Sequence, residues 1–246
     1  YIRSPLMKTI LGDGLLASDG PYWERQRRLM LPEFQPSRME GLVKVFATVA
    51  RQQVATWSSA ADDRGQLNFS REMERIALSN VGRALFGVEL GDRFLDAFGC
   101  VLREVGAVGN AAVFGGGLIR SPAANSRFRE AMQVVEETVA TVMKSTGGDG
   151  PWWEKLLPAL QSAGERAAEA RLSTRQVRDE IVTMITAGHE TTAVTLAWAW
   201  HAIATNPTVA DRFYREVDDV VGGRLIAASD LENLRYTRQI IDETLR

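Results

Sequence analysis

One segment in the C-terminal half of the chain constrains the fold most, a helical pattern that begins at Ser173 and continues to about Thr205. The Ser173 hydroxyl can cap the first turn, and Gln176 three residues later completes a capping box before an apolar run. Asn206 and Pro207 then end the pattern. At about 1.5 Å of rise per residue, a helix of this length crosses an entire domain. We therefore expect this helix to be the central element of the fold.

The rest of the chain repeats the same spacing of three and four, and alternating strand patterns are scarce. Asp19-Gly20-Pro21 offers a cap and a first-turn proline for an arginine-rich helix that Pro32 ends. Further helices are predicted over about 37–57, 70–86, 94–105 and 125–144. Glycine-rich or polar connections are predicted at 115–117, 147–151 and 162–172. The sequence predicts a mainly α fold with little or no sheet, in a single partial domain over residues 1–246.

Composition excludes several classes of protein. The 246 residues carry 29 basic and 31 acidic side chains, which gives a formal net charge of −2. A nucleic-acid-binding protein usually has an excess of basic side chains, so this class is not expected. The lone Cys100 cannot form an internal disulfide, so we expect a reducing, cytoplasmic environment. The longest mostly apolar stretch, 193–204, is well short of the roughly 20 residues that cross a bilayer, so no membrane span is expected.

Both ends of the chain look interrupted. The first residue is Tyr1 rather than methionine, and Arg246 lies inside a helical run with no capping glycine after it. We expect a fold that is truncated at both ends.

The apolar pattern of the long helix is interrupted by a glycine and polar residues in the segment Ala187-Gly188-His189-Glu190-Thr191-Thr192. A single face that is apolar up to residue 184 becomes small and polar beyond it; its members are Val177, Ile181, Met184, Gly188, Thr191, Thr195 and Ala199. A glycine within a helix costs roughly 1 kcal/mol relative to alanine, so something must offset Gly188. Close helix packing, a helix bulge, or a flat ligand over the helix would each explain it, and this stretch alone favours packing.

Two other pairs of side chains carry a possible function. Trp23 and Arg27 lie one helical turn apart and place an indole and a guanidinium where they can bind an anionic group. A surface cation–π contact is the simpler explanation. Glu243 and Arg246 are spaced for an ion pair on the last helix, under an apolar turn that would leave the pair partly buried, although most such pairs are solvated.

In this order, Trp23-x-x-x-Arg27, the segment 187–192 and Glu243-Thr244-Leu245-Arg246 resemble the cytochrome P-450 haem-thiolate monooxygenases. The stretches 18–28 and 86–87 extend the resemblance over nearly the whole chain. It implies the helical P-450 fold, haem (iron protoporphyrin IX) as cofactor, and an oxidoreductase that inserts one oxygen atom of O2 into an organic substrate. The electrons would come from a ferredoxin, a flavodoxin or a flavin reductase.

The resemblance also implies roles for individual residues. Trp23 and Arg27 would bind a haem propionate through charge-assisted contacts. Ala187 and Gly188 would lie over the distal face of the porphyrin, where a minimal side chain lets oxygen and substrate approach the iron.

Thr191 and Glu190 are the implied catalytic residues. The hydroxyl would hydrogen-bond the oxygen ligand or an ordered water, and the acid would connect this site to solvent protons during O–O cleavage. Glu243 and Arg246 would belong to a structural charge network on the proximal side.

The resemblance stops before the loop that supplies the axial cysteine, so the chain is expected to contain no ligand for the iron. Cys100 precedes the long helix and is expected to be a small core side chain. The alternative is therefore a helical fragment or interaction domain that is inactive alone and does not bind haem.

Two other kinds of site could involve the histidines of the long helix. A zinc-protease motif fails because position 193 is Ala193 rather than histidine. His201 is interpreted as a hydrogen-bonded structural side chain rather than a haem ligand.

Overall fold

The computed structural model of the chain describes residues 5–35, 40–61, 65–113, 125–144 and 173–246. Within these ranges every regular element is a helix, which confirms the mainly α prediction. The α-helices are α1 (Pro5–Leu11), α2 (Gly20–Met30), α3 (Val43–Ala60), α4 (Phe69–Phe86), α5 (Asp92–Val113), α6 (Ser126–Lys144), α7 (Thr174–Thr205), α8 (Pro207–Val221) and α9 (Arg235–Thr244). Single 3-10 turns lie at Leu31–Phe34 and Ala228–Asp230.

The start of α7 confirms the predicted capping box. The backbone N–H of Ser173 donates to Oε1 of Gln176 at 2.7 Å, and the backbone N–H of Gln176 donates to Oγ of Ser173 at 3.2 Å. Two of the first orphan amides of the helix are satisfied in this way. The helix then continues to Thr205, next to Asn206 and the proline that begins α8.

Other predicted boundaries were less accurate. α5 continues to Val113, past the predicted end at residue 105, because the helix accommodates Gly106 and Gly109 despite a cost of about 1 kcal/mol each. α3 begins at Val43 after a turn at 41–42, and the predicted start near residue 37 lies outside the described residues. α1 was not predicted because it is short and lacks a capping signal. The predicted connections at 115–117, 147–151 and 162–172 lie outside the described residues.

The contacts between residues divide the chain into two compact units, Tyr1–Glu33 with Leu85–Thr186, and Phe34–Ala84 with Ala187–Arg246. α7 contributes residues up to 186 to the first unit and residues from 187 to the second. The prediction of a single partial domain stays a prediction. None of the helices in the described ranges has the length and apolar character needed to cross a membrane.

The first unit is built around α5 and α6, which pack against each other. α6 buries one stripe at helical spacing, formed by Phe128, Ala131, Val135, Val139 and Val142. On α5 the rings of Phe94 and Phe98 stack at 5.4 Å, and both are buried. Burial of these stripes on both helices supplies the hydrophobic core of the unit.

In the second unit, α3, α4 and α7 share an apolar cluster formed by Val49, Met73, Ile76, Ala77 and Ala193. The ring of Phe69 packs edge-on against Trp57 at 5.8 Å and against Trp200 at 6.5 Å. The buried carboxylate of Glu72 accepts hydrogen bonds from the Trp57 indole at 2.9 Å and the Gln53 amide at 2.7 Å, and pairs with Arg75. Its charge is therefore compensated.

The start of α9 is held by a side chain of α8. The carboxylate of Glu216 accepts hydrogen bonds from the backbone N–H groups of Tyr236 at 2.6 Å and Thr237 at 2.8 Å. These amides belong to the first turn of α9 and have no partner within the helix, so an anion there satisfies them. This contact fixes the helix that carries Glu243.

Candidate functional site

One side of α7 in the second unit is exposed. Successive turns expose Ala187, Thr191, Val194 and Trp198, whose spacing of four, three and four places them on one side of a helix. The indole of Trp198 is 62% exposed. We call these four residues the open face of α7. The opposite side carries the buried His189.

The predicted single face of α7 is only partly correct. Its first three members, Val177, Ile181 and Met184, are buried as expected. Beyond residue 186, Thr191 is exposed and Thr195 is half-buried, while Ala199 is buried. The reason is that burial follows the neighbouring helices, and these differ between the two parts of α7.

Gly188 has a packing role in the structure. A Cβ atom at this position would lie 2.7 Å from Cγ2 of Val81 on α4, far inside van der Waals contact. The missing side chain therefore allows α7 and α4 to approach each other, which supports the packing explanation for this glycine. The placement of Gly188 over a porphyrin stays a prediction, and Ala187 is the small residue that lies on the open face.

The implied catalytic residues lie together on and beside the open face. Oγ1 of Thr191 donates to the carbonyl oxygen of Ala187 at 2.7 Å, one turn earlier. The lone pairs of this hydroxyl remain able to accept a hydrogen bond. The Glu190 side chain is exposed next to it. The arrangement presents a hydroxyl on a small-residue surface, with a solvent-exposed carboxylate as its neighbour.

The two histidines of α7 have different environments. Burial, and to a lesser extent the positive charge of Arg71, lowers the pKa of His189 to about 4, so the imidazole is neutral at pH 7. His201 is exposed and packs edge-on against Trp198 at 5.7 Å, and its interpretation as a hydrogen-bonded structural side chain stays a prediction. Across the described ranges, no three His, Cys, Asp or Glu side chains converge as a metal site.

On α2 of the first unit, the predicted pair forms. The guanidinium carbon of Arg27 lies 5.4 Å from the centroid of the Trp23 ring, in a cation–π contact. Arg27 is exposed, and the described part of the chain contains no carboxylate that pairs with it. The planar fork of the guanidinium is therefore available to an anionic ligand.

The sequence analysis missed the residue that anchors α2. Gln26 is buried; its Oε1 accepts a hydrogen bond from the Ser18 hydroxyl at 3.0 Å, and its Nε2 donates to the carbonyl oxygen of Asp13 at 3.3 Å. It lies one turn before the buried Met30, so helical spacing was the signal that marked this side of α2. Gln26 ties the helix to the loop that precedes it.

The predicted ion pair between Glu243 and Arg246 forms on the last turn of the chain. The side chains are 66% and 79% exposed, so within the described residues the pair matches the solvated alternative rather than the partly buried one. Glu243 also lines a cleft of about 610 Å³ together with Trp198, Ala202 and Tyr236. The structure thus brings Glu243 to the same cleft as the end of the open face.

Cys100 lies on α5 in the first unit and is half-buried. The expectation that it is a core side chain is therefore only partly met. The neighbouring Phe98 and Val101 are fully buried.

The comparisons with known proteins agree with these motifs. The family model Cytochrome P450 matches residues 2–246. The chain belongs to the cytochrome P450 family. It is 31% identical over 246 residues to cyclooctatin synthase of Streptomyces melanosporofaciens, covering 97% of this chain and 52% of the relative. It is 30% identical over 244 residues to pentalenene oxygenase of Streptomyces avermitilis, covering 97% and 53%.

The fold is that of the family as well. The crystal structure of a cytochrome P450, CYP102L1, matches with a TM-score of 0.79 over 98% of this chain and 58% of that chain, at 21% sequence identity. The chain spans about half the length of the curated P450 relatives that it matches. The predicted P450-type helical fold is confirmed.

Proposed function

We propose that the protein is a haem-dependent monooxygenase that inserts one oxygen atom of O2 into an organic substrate, with electrons from a reductase partner. Membership of the P450 family supports this activity. The name pentalenene oxygenase, carried by one relative, supports an apolar hydrocarbon-like substrate. The observation that carries the proposal is the open face of α7, where an exposed hydroxyl lies between a small residue and apolar side chains.

The residues present fit a haem group. Ala187 gives the open face a small surface against which a flat ring can lie, and Val194 and Trp198 extend it with apolar area. In the first unit, taken by itself, the exposed Arg27 stacked on Trp23 fits a propionate, since a guanidinium binds a carboxylate in a planar geometry. The half-buried Cys100 within α5 does not fit an axial ligand. When bound, haem supplies the activation of O2.

In this proposal Thr191 and Glu190 manage protons. The Thr191 hydroxyl donates to the Ala187 carbonyl at rest and can rotate to hydrogen-bond a water or a ligand on the open face. The exposed Glu190 carboxylate exchanges protons with solvent. A proton can therefore pass from solvent to the hydroxyl without crossing the buried side of α7.

The replacement Thr191→Ala in the full-length enzyme tests this role. We expect product formed per electron pair to fall by about tenfold or more, with hydrogen peroxide released instead, because proton delivery is disturbed. The measurement is the ratio of product and peroxide to reduced nicotinamide consumed. Thr205→Ala is the matched control, since Thr205 makes the same hydroxyl bond to the carbonyl of His201 but lies at the end of the helix. Unchanged coupling in Thr191→Ala would argue against the proposed function.

The replacement Arg27→Ala tests the haem contact. A hydrogen bond to a charged group contributes about 1.5–3 kcal/mol, so we expect haem to leave the protein about tenfold faster or more. The rate of haem transfer to apomyoglobin measures this directly. Arg28→Ala is the control, because Arg28 is also exposed on the same helix but does not share the Trp23 contact. Equal haem loss in both variants would contradict the role of Arg27.

A further inference from the structure

The loop between α1 and α2, residues 12–19, lies directly against α7 in the first unit. The backbone N–H of Asp13 donates to Oδ2 of Asp179 at 3.0 Å, and the backbone N–H of Leu15 donates to Oε2 of Glu180 at 3.2 Å. A Cβ atom on Gly14 would lie 2.1 Å from Oγ1 of Thr183. Two neighbouring carboxyl groups of α7 therefore hold the backbone that leads into α2.

The two carboxyl groups are not equally compensated. Asp179 is contacted by the guanidinium of Arg178 at 3.0 Å in addition to the Asp13 amide. Glu180 is only 1% exposed and receives the Leu15 amide alone; its Oε1 atom has no hydrogen-bond partner among the residues that the structure describes. A charge on Glu180 would thus be buried beside a second carboxylate with a single neutral donor, which is unfavourable.

The titratable and charged groups that α2 carries on this side are Tyr22 and Arg25. On α2, the hydroxyl of Tyr22 accepts a hydrogen bond from the Gln176 amide at 2.9 Å. Burial raises the pKa of Tyr22, so this hydroxyl is neutral. The guanidinium of Arg25 lies over the Tyr22 ring at 5.5 Å from its centroid.

Two basic side chains near the loop, Lys8 and Arg178, pair with carboxylates other than Glu180. Asp13 pairs with Lys8 at 3.2 Å. Arg178 pairs with Glu136 and Asp179. No described ion pair therefore offsets a charge on Glu180.

The acidity of Glu180 agrees with this geometry. Burial, with a smaller contribution from the charge of Asp179, raises the pKa of its carboxyl from 4.5 to about 7 although the Leu15 amide acts in the opposite direction. Near neutral pH the group is therefore poised between its protonated and ionised forms.

We propose that Glu180 is a positioning residue for α2, which holds the 12–19 loop against α7 while protonated and loosens it when ionised. Because α2 carries Arg27, ionisation of Glu180 would make the position of that guanidinium less fixed and weaken its contact with a haem propionate. This consequence for haem rests on the proposed function. The effect on the loop itself does not require haem.

The direction follows from proton linkage. When the loop lifts, the Glu180 carboxyl is hydrated and returns to its ordinary pKa of 4.5, so closing of the loop takes up a proton between that pH and about pH 7. The opening equilibrium therefore increases with pH across this interval, by up to about tenfold per pH unit, and is flat above it.

Amide hydrogen exchange of the peptide that covers residues 12–19, measured on the full-length protein, tests the proposal. After correction for the intrinsic exchange rate, we expect the opening equilibrium to rise at least about tenfold from pH 5.5 to pH 7.5. Glu180→Gln keeps an acceptor for the Leu15 amide and has no charge, so its profile should be flat at the low-pH value. Glu137→Gln, an exposed glutamate on α6, should follow the wild-type profile.

A flat profile in the wild type, or an equal rise in Glu180→Gln, would overturn the proposal. If Glu180→Gln does not fold, Asp179→Asn provides the test. Removal of the adjacent charge should move the midpoint of the pH-dependent rise in the opening equilibrium to lower pH, and an unchanged midpoint would overturn the proposal. Failure of the proposed function is seen separately, as normal haem retention in Arg27→Ala with the exchange profile intact.

Discussion

Replacement of Gly14 by alanine is expected to lower the free energy of unfolding by about 3 kcal/mol, the upper end of the range for overpacking. The new Cβ would lie 2.1 Å from Oγ1 of Thr183 and 2.7 Å from the backbone carbonyl oxygen of Asp179. The carbonyl belongs to the hydrogen-bond ladder of α7 and cannot move without disturbing the helix. The loop must therefore lift, which breaks the amide contacts of Asp13 and Leu15.

Chemical denaturation of the full-length protein measures this loss. Gly91→Ala is the matched control, because a Cβ there meets nothing within 4 Å and Gly91 also lies in a connection before a helix. Gly14→Ala combined with Thr183→Ala removes the shorter of the two overlaps and should recover part of the stability. If Gly14→Ala is as stable as Gly91→Ala, the close approach of the loop to α7 is not as described.

Gly188→Ala is expected to destabilise the protein by about 2 kcal/mol, although alanine is the better helix former by roughly 1 kcal/mol. The added methyl would overlap Cγ2 of Val81, which is buried and β-branched and has little freedom to rotate away. Packing therefore outweighs helix propensity at this position.

A double-mutant cycle with Val81→Ala identifies the cause. Val81→Ala alone leaves a cavity, and the new methyl of Gly188→Ala would fill part of it, so the double variant should be more stable than the two single losses predict. Additive losses would contradict the contact.

Ala187→Val adds methyl groups to the open face rather than to the buried side of α7. We expect this variant to leave the free energy of unfolding nearly unchanged and to alter the haem absorption spectrum instead. If the Gly188→Ala, Val81→Ala double variant regains stability but not haem binding, Gly188 also faces the cofactor.

The helices and their caps could largely be predicted because their signals are local. The capping box at Ser173 and Gln176, the proline at the start of α2 and the end of α4 at Phe86 are each encoded within a few residues. α1 was missed since it is short and lacks a capping signal, and the burial of Met7, Ile10 and Leu11 supplies its stability. The extension of α5 was missed because glycines at 106 and 109 predict the end of a helix. The order of the three motifs was sufficient to indicate the family, which the family model over residues 2–246 confirms.

The details of the candidate site required the folded chain. Periodicity placed Gly188 and Thr191 on one face, yet Gly188 meets Val81, more than a hundred residues earlier in the chain, while Thr191 faces outward. Nothing near Glu180 in the sequence indicated that the amide of Leu15 would be its partner. Sequence alone determined that α7 forms, where it begins and ends, and which side chains it offers. The tertiary structure decided which of them are buried, because burial depends on segments that only folding brings together.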